Sequence, residues 1–242
     1  MVIKDTKYAS TLLKKIICTE WYSYFTGLES VIKFICVLKI DRLIYFLFRF
    51  VKNFSMKKEK VRDRIIRVAS DLFYKQGFNS TGINQIIAEA DIAIGSLYNH
   101  FSSKNDLLQA YLIKQESEWF EGFENSISKI SDPKEKLLTL IDYRKKLQQT
   151  SKFAGCHFIK IVSEIGEGNP SVSGFAKQHK EKQKDLITSL VKEYGMQRKV
   201  SDPDLLAENI FLLIEGAVVT STIRRQNNSF DQVKKIIEGL LP

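Results

Sequence analysis

The stretch that decides the fold is RIIRVASDLFYKQGFNSTGINQIIAEADIAIGSLYNHFSSKNDLL, residues 64–108. Its first apolar residues recur at the spacing of an α-helix over residues 60–76. These residues are Ile65, Ala69, Leu72 and Phe73. Gly77 then stands where a left-handed residue commonly ends a helix. The pattern therefore predicts a first helix that ends at this glycine.

Two short helices joined by a turn are predicted next. Ser80 and Thr81 offer N-capping hydroxyls before a helix whose apolar stripe is Ile83, Ile86, Ile87 and Ala90. A break at residues 91–93 precedes a third helix over 94–101, in which Leu97 and Phe101 are predicted to face inward. Ser103, with Asp106 three residues on, fits the capping pattern of a longer fourth helix. This geometry is that of a helix-turn-helix, although the end of an ordinary three-helix bundle has the same periodicity.

The residues themselves favour the helix-turn-helix, because the stretch closely resembles the N-terminal domain of TetR-family transcriptional regulators. The matching positions are Ala69, Leu72, Phe73, Gly77, Phe78, Thr81, Ile86, Ala90, the run GSLYNHF at 95–101, Ser103 and Lys104. The resemblance spans the 45 residues from 64 to 108 without a gap, and its GxLYxHF part is specific. It implies an all-α fold in which a three-helix DNA-binding domain, residues 56–104, is joined to a larger helical domain, residues 105–242, that binds an effector and dimerises.

The resemblance also implies which residues meet double-stranded DNA. The start of the second helix would hold a phosphate on its free N–H groups, and the third helix would enter the major groove. The expected contacts are Thr81, Gly82, Ala93, Ile94, Gly95, Ser96, Tyr98, Asn99, His100 and Lys104. Partial packing remains an alternative role for Tyr98, and an ordinary surface position remains one for His100.

Two departures from the family pattern bear on DNA affinity and on the type of operator. Asp91 replaces the glycine usual in the turn, and aspartate tolerates the left-handed region only at some cost. Ala93 and Ile94 replace a polar cap and a basic or proline residue, which removes a cap worth about 1 kcal/mol and one DNA contact. Ile94 could instead touch a thymine methyl group.

Everything after Asn105 is predicted to be helical, and the family uses this region to bind an inducer and to dimerise. The resemblance implies that two long helices, about 171–194 and 203–225, pair with their copies in a four-helix bundle. The expected interface is Leu206, Ile210, Leu213, Ile214, Ala217 and Val218, although an ordinary core explains that apolar face nearly as well. A two-fold dimer would present two third helices about 34–36 Å apart, which matches a palindromic operator.

Aromatic residues of the same region are candidates for the lining of an effector pocket, with polar groups among them. The predicted lining is Trp119, Phe123, Tyr143, Phe153, Cys156, His157, Phe158, Phe175 and Glu215. An aromatic stripe at helical spacing is more often core than ligand cage. A redox role for Cys156 is the alternative to simple burial, which is the usual state of a lone cysteine among apolar residues.

The motifs of an enzyme are missing from the sequence. The GEG run at 166–168 lies between predicted helices rather than after a strand, so it does not indicate a phosphate-binding loop. Cys156 and His157 point in different directions on a helix, and no third metal ligand stands at a suitable spacing. We therefore expect no catalytic residue, no metal site and no cofactor.

The expected function is that of a sequence-specific DNA-binding regulator, a repressor released from its operator by a small-molecule effector that the sequence does not identify. The alternative is a membrane-tethered or partner-binding helical protein whose helix-turn-helix is vestigial. The 44% hydrophobic content of the 242 residues excludes a disordered chain. Three distant cysteines indicate a reducing compartment, so we expect a cytoplasmic protein.

The net charge of +9 is concentrated toward the N-terminus. Residues 1–55 carry nine basic and four acidic residues, residues 56–104 eight and five, and residues 105–242 twenty and nineteen. Residues 31–51, VIKFICVLKIDRLIYFLFRFV, are apolar but interrupted by five charges, unlike a spanning helix. Three interpretations of residues 1–55 stay open. Translation starts at Met56, the extension contacts a membrane or a partner, or the extension is part of the fold. Contact with a membrane is not favoured.

Overall fold

The computed structural model describes residues 59–198 and 200–241, so the interpretations of residues 1–55 lie outside the described part of the chain. Over these residues there are nine helices and no strand, as the all-α prediction requires. They are α1 (Val61–Gln76), α2 (Ile83–Ala90), α3 (Ile94–Tyr98), α4 (Lys104–Ile127), α5 (Pro133–Thr150), α6 (His157–Ile165), α7 (Pro170–Gln197), α8 (Pro203–Arg224) and α9 (Asn228–Leu240).

Local signals place the ends of the first helices where the sequence predicts them. Gly77 has a φ of 91° and its N–H donates to the Phe73 carbonyl, so the chain leaves α1 at this glycine. Asp91 adopts the left-handed conformation, with φ 50° and ψ 61°, and thereby makes the turn between α2 and α3. The Ser103 hydroxyl accepts the Asp106 N–H at 3.1 Å, which confirms the predicted cap of α4.

The start of α2 differs from the prediction. Gly82 is its N-terminal flanking residue, and neither Ser80 nor Thr81 caps it. The Thr81 hydroxyl instead donates to the Gly77 carbonyl at 2.6 Å and fastens the loop to the end of α1. The third helix is also shorter than predicted, because it ends at Tyr98 and the chain turns before the buried Phe101.

The core of the helix-turn-helix continues into the following helices. α1 packs against α2, α3 and α4, and its apolar residues meet those of α6 and α7 in one cluster. Its members include Ile65, Phe73, Ile86, Leu97, Leu108, Tyr111, Phe158 and Ile161. A displacement of α6 therefore has to be accommodated by residues that also support α3.

A second core joins α5, α8 and α9 to α7 and to the C-terminal half of α4. It contains four of the six residues predicted for the dimer interface, Ile210, Ile214, Ala217 and Val218, each at most 4% exposed. These four residues pack within their own chain and leave almost no surface for a contact between copies. Leu206 and Leu213 are half-buried. Apolar residues lie on every side of α8, and periodicity therefore could not show which face turns inward.

The backbone sets two further boundaries in this region. The chain over 152–155 has positive φ at Lys152, Phe153 and Gly155, so helix α6 begins only at His157. α7 ends at Gln197, three residues beyond the predicted end near residue 194.

Within 59–198 and 200–241, α8 is the one helix with the length and hydropathy of a membrane span, with a mean hydropathy of 1.5. It packs against α5, α7 and α9. Core helices of water-soluble proteins pass the same test of length and composition.

Candidate nucleic-acid interface and effector cavity

The third helix presents one buried and one exposed side. Leu97 is fully buried, and Phe101 just beyond the helix is 4% exposed, so these two side chains hold α3 against α1. Ile94 and Tyr98 are 57% and 51% exposed on the opposite side. Also exposed are Ala93, Gly95, Asn99 and His100, while Ser96 is half-buried. Most of the predicted DNA-contacting residues of α3 therefore lie on one accessible surface.

Two glycines leave open backbone on this surface. A Cβ atom added at Gly82 or Gly95 would meet no other atom within 4 Å. The N–H groups of the first turn of α2 follow Gly82 and have no partner within the helix. An anion can approach such a backbone closely, since no side chain covers it and the helix dipole favours negative charge there.

Thr81 does not fit its predicted role as a phosphate ligand. The side chain is 1% exposed, its hydroxyl donates to the Gly77 carbonyl, and its backbone N–H donates to the Phe78 carbonyl. Both of its donors are thus used within the protein. A phosphate at the start of α2 would instead be bound by the backbone N–H groups of Gly82 and the residues after it.

Lys104 lies at the start of α4 and packs over an aromatic ring. Its Nζ atom is 4.2 Å from the centroid of Phe78. Partial burial lowers the pKa of this ammonium group, while the Glu164 carboxylate opposes that shift. The side chain is half-buried, so the positive charge is held near the end of the helix-turn-helix in a restricted position.

Arg62 is a surface cation beside α3 that the sequence reasoning missed. Its guanidinium carbon lies 5.3 Å from the centroid of Phe101, directly after the exposed His100. Nearby on α1, the Arg64 guanidinium donates to the Asp91 carbonyl in the turn, at 3.4 Å. The only sequence signal was a pair of basic residues in the first turn of α1, which did not show their closeness to α3.

A cavity of about 240 Å³ lies between α1, α4, α5, α6 and α7. Five of the nine residues predicted for an effector pocket line it: Trp119, Tyr143, Cys156, His157 and Phe158. The other four, Phe123, Phe153, Phe175 and Glu215, do not line it. Phe123 is 2% exposed in the second core, and Phe175 packs against the first.

Most of the polar lining of the cavity was not predicted. Sequence reasoning missed Tyr74, Gln115, Glu118, Arg144, Leu147, Gln148, Thr150, Ser151, Gly155 and His179. Arg144, Gln148 and His179 are buried polar residues. On helices otherwise rich in exposed charge they carry no sequence signal, because only the packing of five helices turns them inward.

Glu215 influences the cavity indirectly through the arginine. One of its carboxylate oxygens accepts from the Arg144 guanidinium at 3.1 Å, and the other accepts from Lys180 at 2.6 Å. The Arg144 guanidinium also lies 5.8 Å from the ring centroid of Trp119. Two cations thus share one carboxylate behind the cavity wall.

Three buried polar atoms of the cavity wall lack a hydrogen-bond partner among the described residues. They are Nε1 of Trp119, Oε1 of Gln148 and Nδ1 of His179. Their residues are only 8%, 4% and 1% exposed, and all three line the cavity. Because an unpaired buried donor or acceptor costs about 1–3 kcal/mol, these atoms mark a place where a ligand can complete the structure.

Both histidines of the cavity are held in the neutral form. Burial, aided by Lys160, lowers the pKa of His157 to about 4, and its Nδ1 atom lies 2.6 Å from the Tyr111 hydroxyl. In the tautomer that carries its hydrogen on Nε2, a neutral His157 accepts that hydroxyl hydrogen at Nδ1. Burial, aided by the positive charges of Lys180, Arg144 and Lys182, lowers the pKa of His179 to about 3.

The cavity wall includes a residue of the helix-turn-helix. The ring of Tyr74, on α1, stacks on His157 with 3.7 Å between centroids and 11° between planes. Its hydroxyl donates to the Gly155 carbonyl at 2.7 Å. Farther along α6, the Glu164 carboxylate accepts the N–H groups of Phe78 and Asn79 at 2.9 and 2.6 Å. α6 is thereby bonded to α1 and to the loop before α2.

In the described ranges, no group of three or more histidine, cysteine, aspartate or glutamate side chains could hold a metal ion. Cys156 is a free thiol at the start of α6, in a partly buried position.

Comparisons with known proteins agree on one family. Residues 65–111 match the family model described as bacterial regulatory proteins, tetR family. The transcriptional repressor DhaR of a Mycobacterium species is 26% identical over 195 residues, which cover 77% of this chain and 96% of that protein. The regulator QacR of Staphylococcus aureus is 34% identical over 76 residues, 31% of this chain and 40% of QacR.

The fold is likewise that of known members. The crystal structure of SCO4454, a TetR-family transcriptional regulator from Streptomyces coelicolor, superposes with a TM-score of 0.67 at 24% identity over 75% of this chain and 94% of that one. A TetR regulator from Legionella pneumophila gives 0.66 at 23% identity, over 77% and 100%. Its match over residues 65–111, its helix-turn-helix and its relatives show that this chain carries a TetR-type DNA-binding domain and is a DNA-binding transcriptional regulator rather than an enzyme.

Proposed function

We propose that this regulator is a homodimeric repressor that binds a palindromic operator and leaves it when a small-molecule effector enters the cavity between α1, α4, α5, α6 and α7. One observation carries the proposal: the cavity is walled in part by Tyr74 of the DNA-reading half. An effector that contacts this ring acts directly on α1, which supports α3. The relative DhaR, named a transcriptional repressor, makes repression the favoured direction.

The operator contacts follow from the exposed surface of α3 and the start of α2. Tyr98, Asn99 and His100 would reach phosphates or base edges, and Ile94 would meet a thymine methyl group. Ala93, Gly95 and Ser96 would lie closest to the groove floor, and Gly82 would hold a phosphate. Lys104 and Arg62 would add positive charge at the edges of this surface.

The dimer would form through the exposed apolar face of α8 and α9. Outside the second core, α8 presents large apolar side chains to solvent, of which Ile223 is 77% and Leu212 56% exposed. The whole set is Leu205, Leu212, Val219 and Ile223 on α8, and Ile236 and Leu240 on α9. A contiguous apolar patch of this kind commonly marks an interface. The exposed face of α7 is mostly charged or polar, so α9 replaces α7 as the second bundle helix.

The effector would act through α6. It would bind the conformation in which Tyr74, Gly155 and the α6 backbone are best placed around it, and would shift the population toward that conformation. The Glu164 bonds to Phe78 and Asn79 would carry a displacement of α6 to the loop before α2. The spacing of the two α3 helices would then no longer match one operator turn, which couples the two sites.

A regulator of this type acts where the chromosome is, so we place the protein in the bacterial cytoplasm. The membrane-tethered alternative depends on residues 1–55, which lie outside the described residues. The family relationship does not favour it.

The test begins with selection of fragments bound by the full chain from genomic DNA, followed by affinity measurements across salt concentrations. Binding of a dimer to its operator predicts that the selected fragment is palindromic. It also predicts that the logarithm of the affinity falls steeply and linearly with the logarithm of the salt concentration, because several phosphates are contacted. A flat salt dependence on every selected fragment would contradict DNA reading by this surface.

The dimer is tested separately, by light scattering after gel filtration. Leu212→Glu should convert the protein to a monomer and weaken operator binding at least tenfold, since it places a charge in the proposed apolar interface. Ile113→Glu, a matched change at an equally exposed apolar residue of α4, should leave the dimer intact.

A further inference from the structure

We propose that the cavity takes a compact aromatic carboxylate, a single-ring acid whose carboxylate binds the Arg144 guanidinium. This inference rests on the proposed function, since it names the effector class for the same cavity. The argument depends on the local charge balance, on the free donors of the arginine and on the aromatic wall.

The charge behind the wall is unbalanced. Arg144 and Lys180 share the single carboxylate of Glu215, and the three side chains are 7%, 20% and 18% exposed. Their sum is one net positive charge in a mostly buried position. A charge taken from water is unfavourable unless it is paired, so an anion in the cavity would be stabilised there.

The Arg144 guanidinium has N–H donors that make no hydrogen bond within the described residues. Only one bond from it is found among the described residues, the one to Glu215, although a guanidinium carries five N–H donors. Arg144 also lines the cavity. A planar guanidinium matches the two oxygens of a carboxylate and binds them in a bidentate way, which distinguishes a carboxylate from an isosteric neutral amide.

The remaining wall suits a ring with a polar substituent. Six aromatic or imidazole rings line the cavity: Tyr74, Trp119, Tyr143, His157, Phe158 and His179. The unpaired Trp119 Nε1 donor and Gln148 Oε1 acceptor would bind a hydroxyl group or a similar substituent on that ring. A volume of about 240 Å³ is below the roughly 300–1,000 Å³ of pockets for drug-sized ligands, which limits the occupant to a small molecule.

Aromatic walls also attract organic cations, so an organic cation is the alternative ligand for this cavity. The cavity carboxylate that could balance a cation is Glu118, which accepts from Gln115 and pairs with Lys114 on the exposed side. Burial is the main cause that lowers the pKa of His179, and the positive charges of Lys180, Arg144 and Lys182 add to it. The Glu116 carboxylate lies 3.4 Å from His179 and pairs with Lys182. Arg144 and Lys180 with their shared Glu215 therefore leave one net positive charge, which would repel a cationic ligand and attract an anionic one.

The experiment is calorimetric titration of the full chain at pH 7.5 with benzoate, 2-hydroxybenzoate and 4-hydroxybenzoate, and with benzamide and benzylamine as neutral and cationic counterparts. At least one acid should bind ten times more tightly than both counterparts. This comparison in the unaltered protein needs no variant to fold.

Three variants assign the binding to the proposed residues. Arg144→Gln should weaken acid binding at least tenfold, and Lys180 still pairs with Glu215 in it. Trp119→Phe should weaken binding of the hydroxybenzoates more than that of benzoate, because the loss of ring volume affects all three acids whereas the loss of the Nε1 donor affects only those with a hydroxyl group. Lys146→Gln removes an exposed positive charge from the same helix and should leave binding unchanged.

The inference is overturned if no acid binds, if benzamide or benzylamine binds as tightly, or if Arg144→Gln binds the acids as the unaltered protein does. Release of the selected DNA fragment by the bound acid supports both proposals. Acid binding that depends on Arg144 but leaves the DNA complex intact supports the carboxylate site and contradicts the effector role. Failure of salt-dependent DNA binding contradicts the proposed function alone.

Discussion

The DNA-reading half and the cavity half of this regulator treat their polar groups in opposite ways. On α3 and at the start of α2 the polar groups are exposed to solvent, and open backbone at Gly82 and Gly95 lies among them. Around the cavity many polar groups are buried, and three of them, on Trp119, Gln148 and His179, have no hydrogen-bond partner within the described residues.

This difference suits the two ligands proposed for these halves, which are DNA and a small effector. DNA is a large anion that an exposed surface can approach from outside, so the reading side chains can stay hydrated until contact. A small effector must replace the water around itself entirely, and a buried site with unpaired groups gains most from it. Stability should therefore be insensitive to substitutions on the reading surface and sensitive to substitutions that alter the buried groups.

The largest effect expected is on the support of the reading surface. Leu97→Ala removes a fully buried side chain between α3 and α1 and should lower the free energy of unfolding by about 2–5 kcal/mol. The neighbouring Tyr98→Ala should change it by less than about 0.5 kcal/mol, because that side chain is exposed. Thermal and urea unfolding followed by circular dichroism measure both. Equal losses for the two variants would show that the Tyr98 side chain packs in the protein rather than serving only to contact DNA.

The next effect is the pH dependence of the cavity half. The pKa of His157 is about 4 in the folded state and near 6.5 when unfolded, so the unfolded chain binds more protons between these values. His157 should contribute a fall in the free energy of unfolding of up to roughly 3 kcal/mol as the pH drops from 6.5 to 4, and His179, whose pKa is lowered to about 3, should add a further fall over the same range. His157→Asn, which keeps an acceptor for the Tyr111 hydroxyl, should show a shallower fall in urea unfolding measured across that range. The exposed His100→Asn serves as the control, and an unchanged slope in His157→Asn would refute the assignment.

A smaller effect concerns DNA affinity alone. Tyr98→Ala should weaken operator binding about 10–100-fold, which corresponds to roughly 1–3 kcal/mol, without loss of folding. Fluorescence anisotropy with the selected fragment measures the change. Ile113→Ala, equally exposed but outside the helix-turn-helix, should bind as the unaltered protein does. Unaltered DNA binding by Tyr98→Ala would move the contact to other residues of α3.

The smallest effect is the loss of a helix cap. Ser103→Ala removes the acceptor of the Asp106 N–H and should lower the free energy of unfolding by about 1 kcal/mol. Ser102→Ala is the matched control, because the neighbouring serine is exposed and is not the cap. Denaturant unfolding of both variants decides the point. A loss in Ser102→Ala equal to that in Ser103→Ala would contradict the capping assignment.

Much of the DNA-reading half could be predicted from the sequence, because its determinants are local. Gly77, Asp91 and Ser103 act on the backbone within a few residues of themselves, and each has the conformation or bond that its residue type predicts. The inward faces of Leu97 and Phe101 follow from their helical spacing. Thr81 was the exception, because its hydroxyl has two local choices and bonds to the Gly77 carbonyl instead of facing a phosphate.

The sequence by itself determined that this is an all-helical regulator with a helix-turn-helix, because turns, caps and apolar spacing are properties of neighbouring residues. Tertiary structure alone decided which side of α8, whose apolar residues lie on every side, packs in the core. It also decided which buried polar residues of α5 and α7 meet in one cavity. Arg144, Gln148 and His179 come together with Tyr74 only through packing between helices distant in sequence. Such contacts depend on the relative rotation of whole helices, and periodicity within one helix carries no information about that rotation.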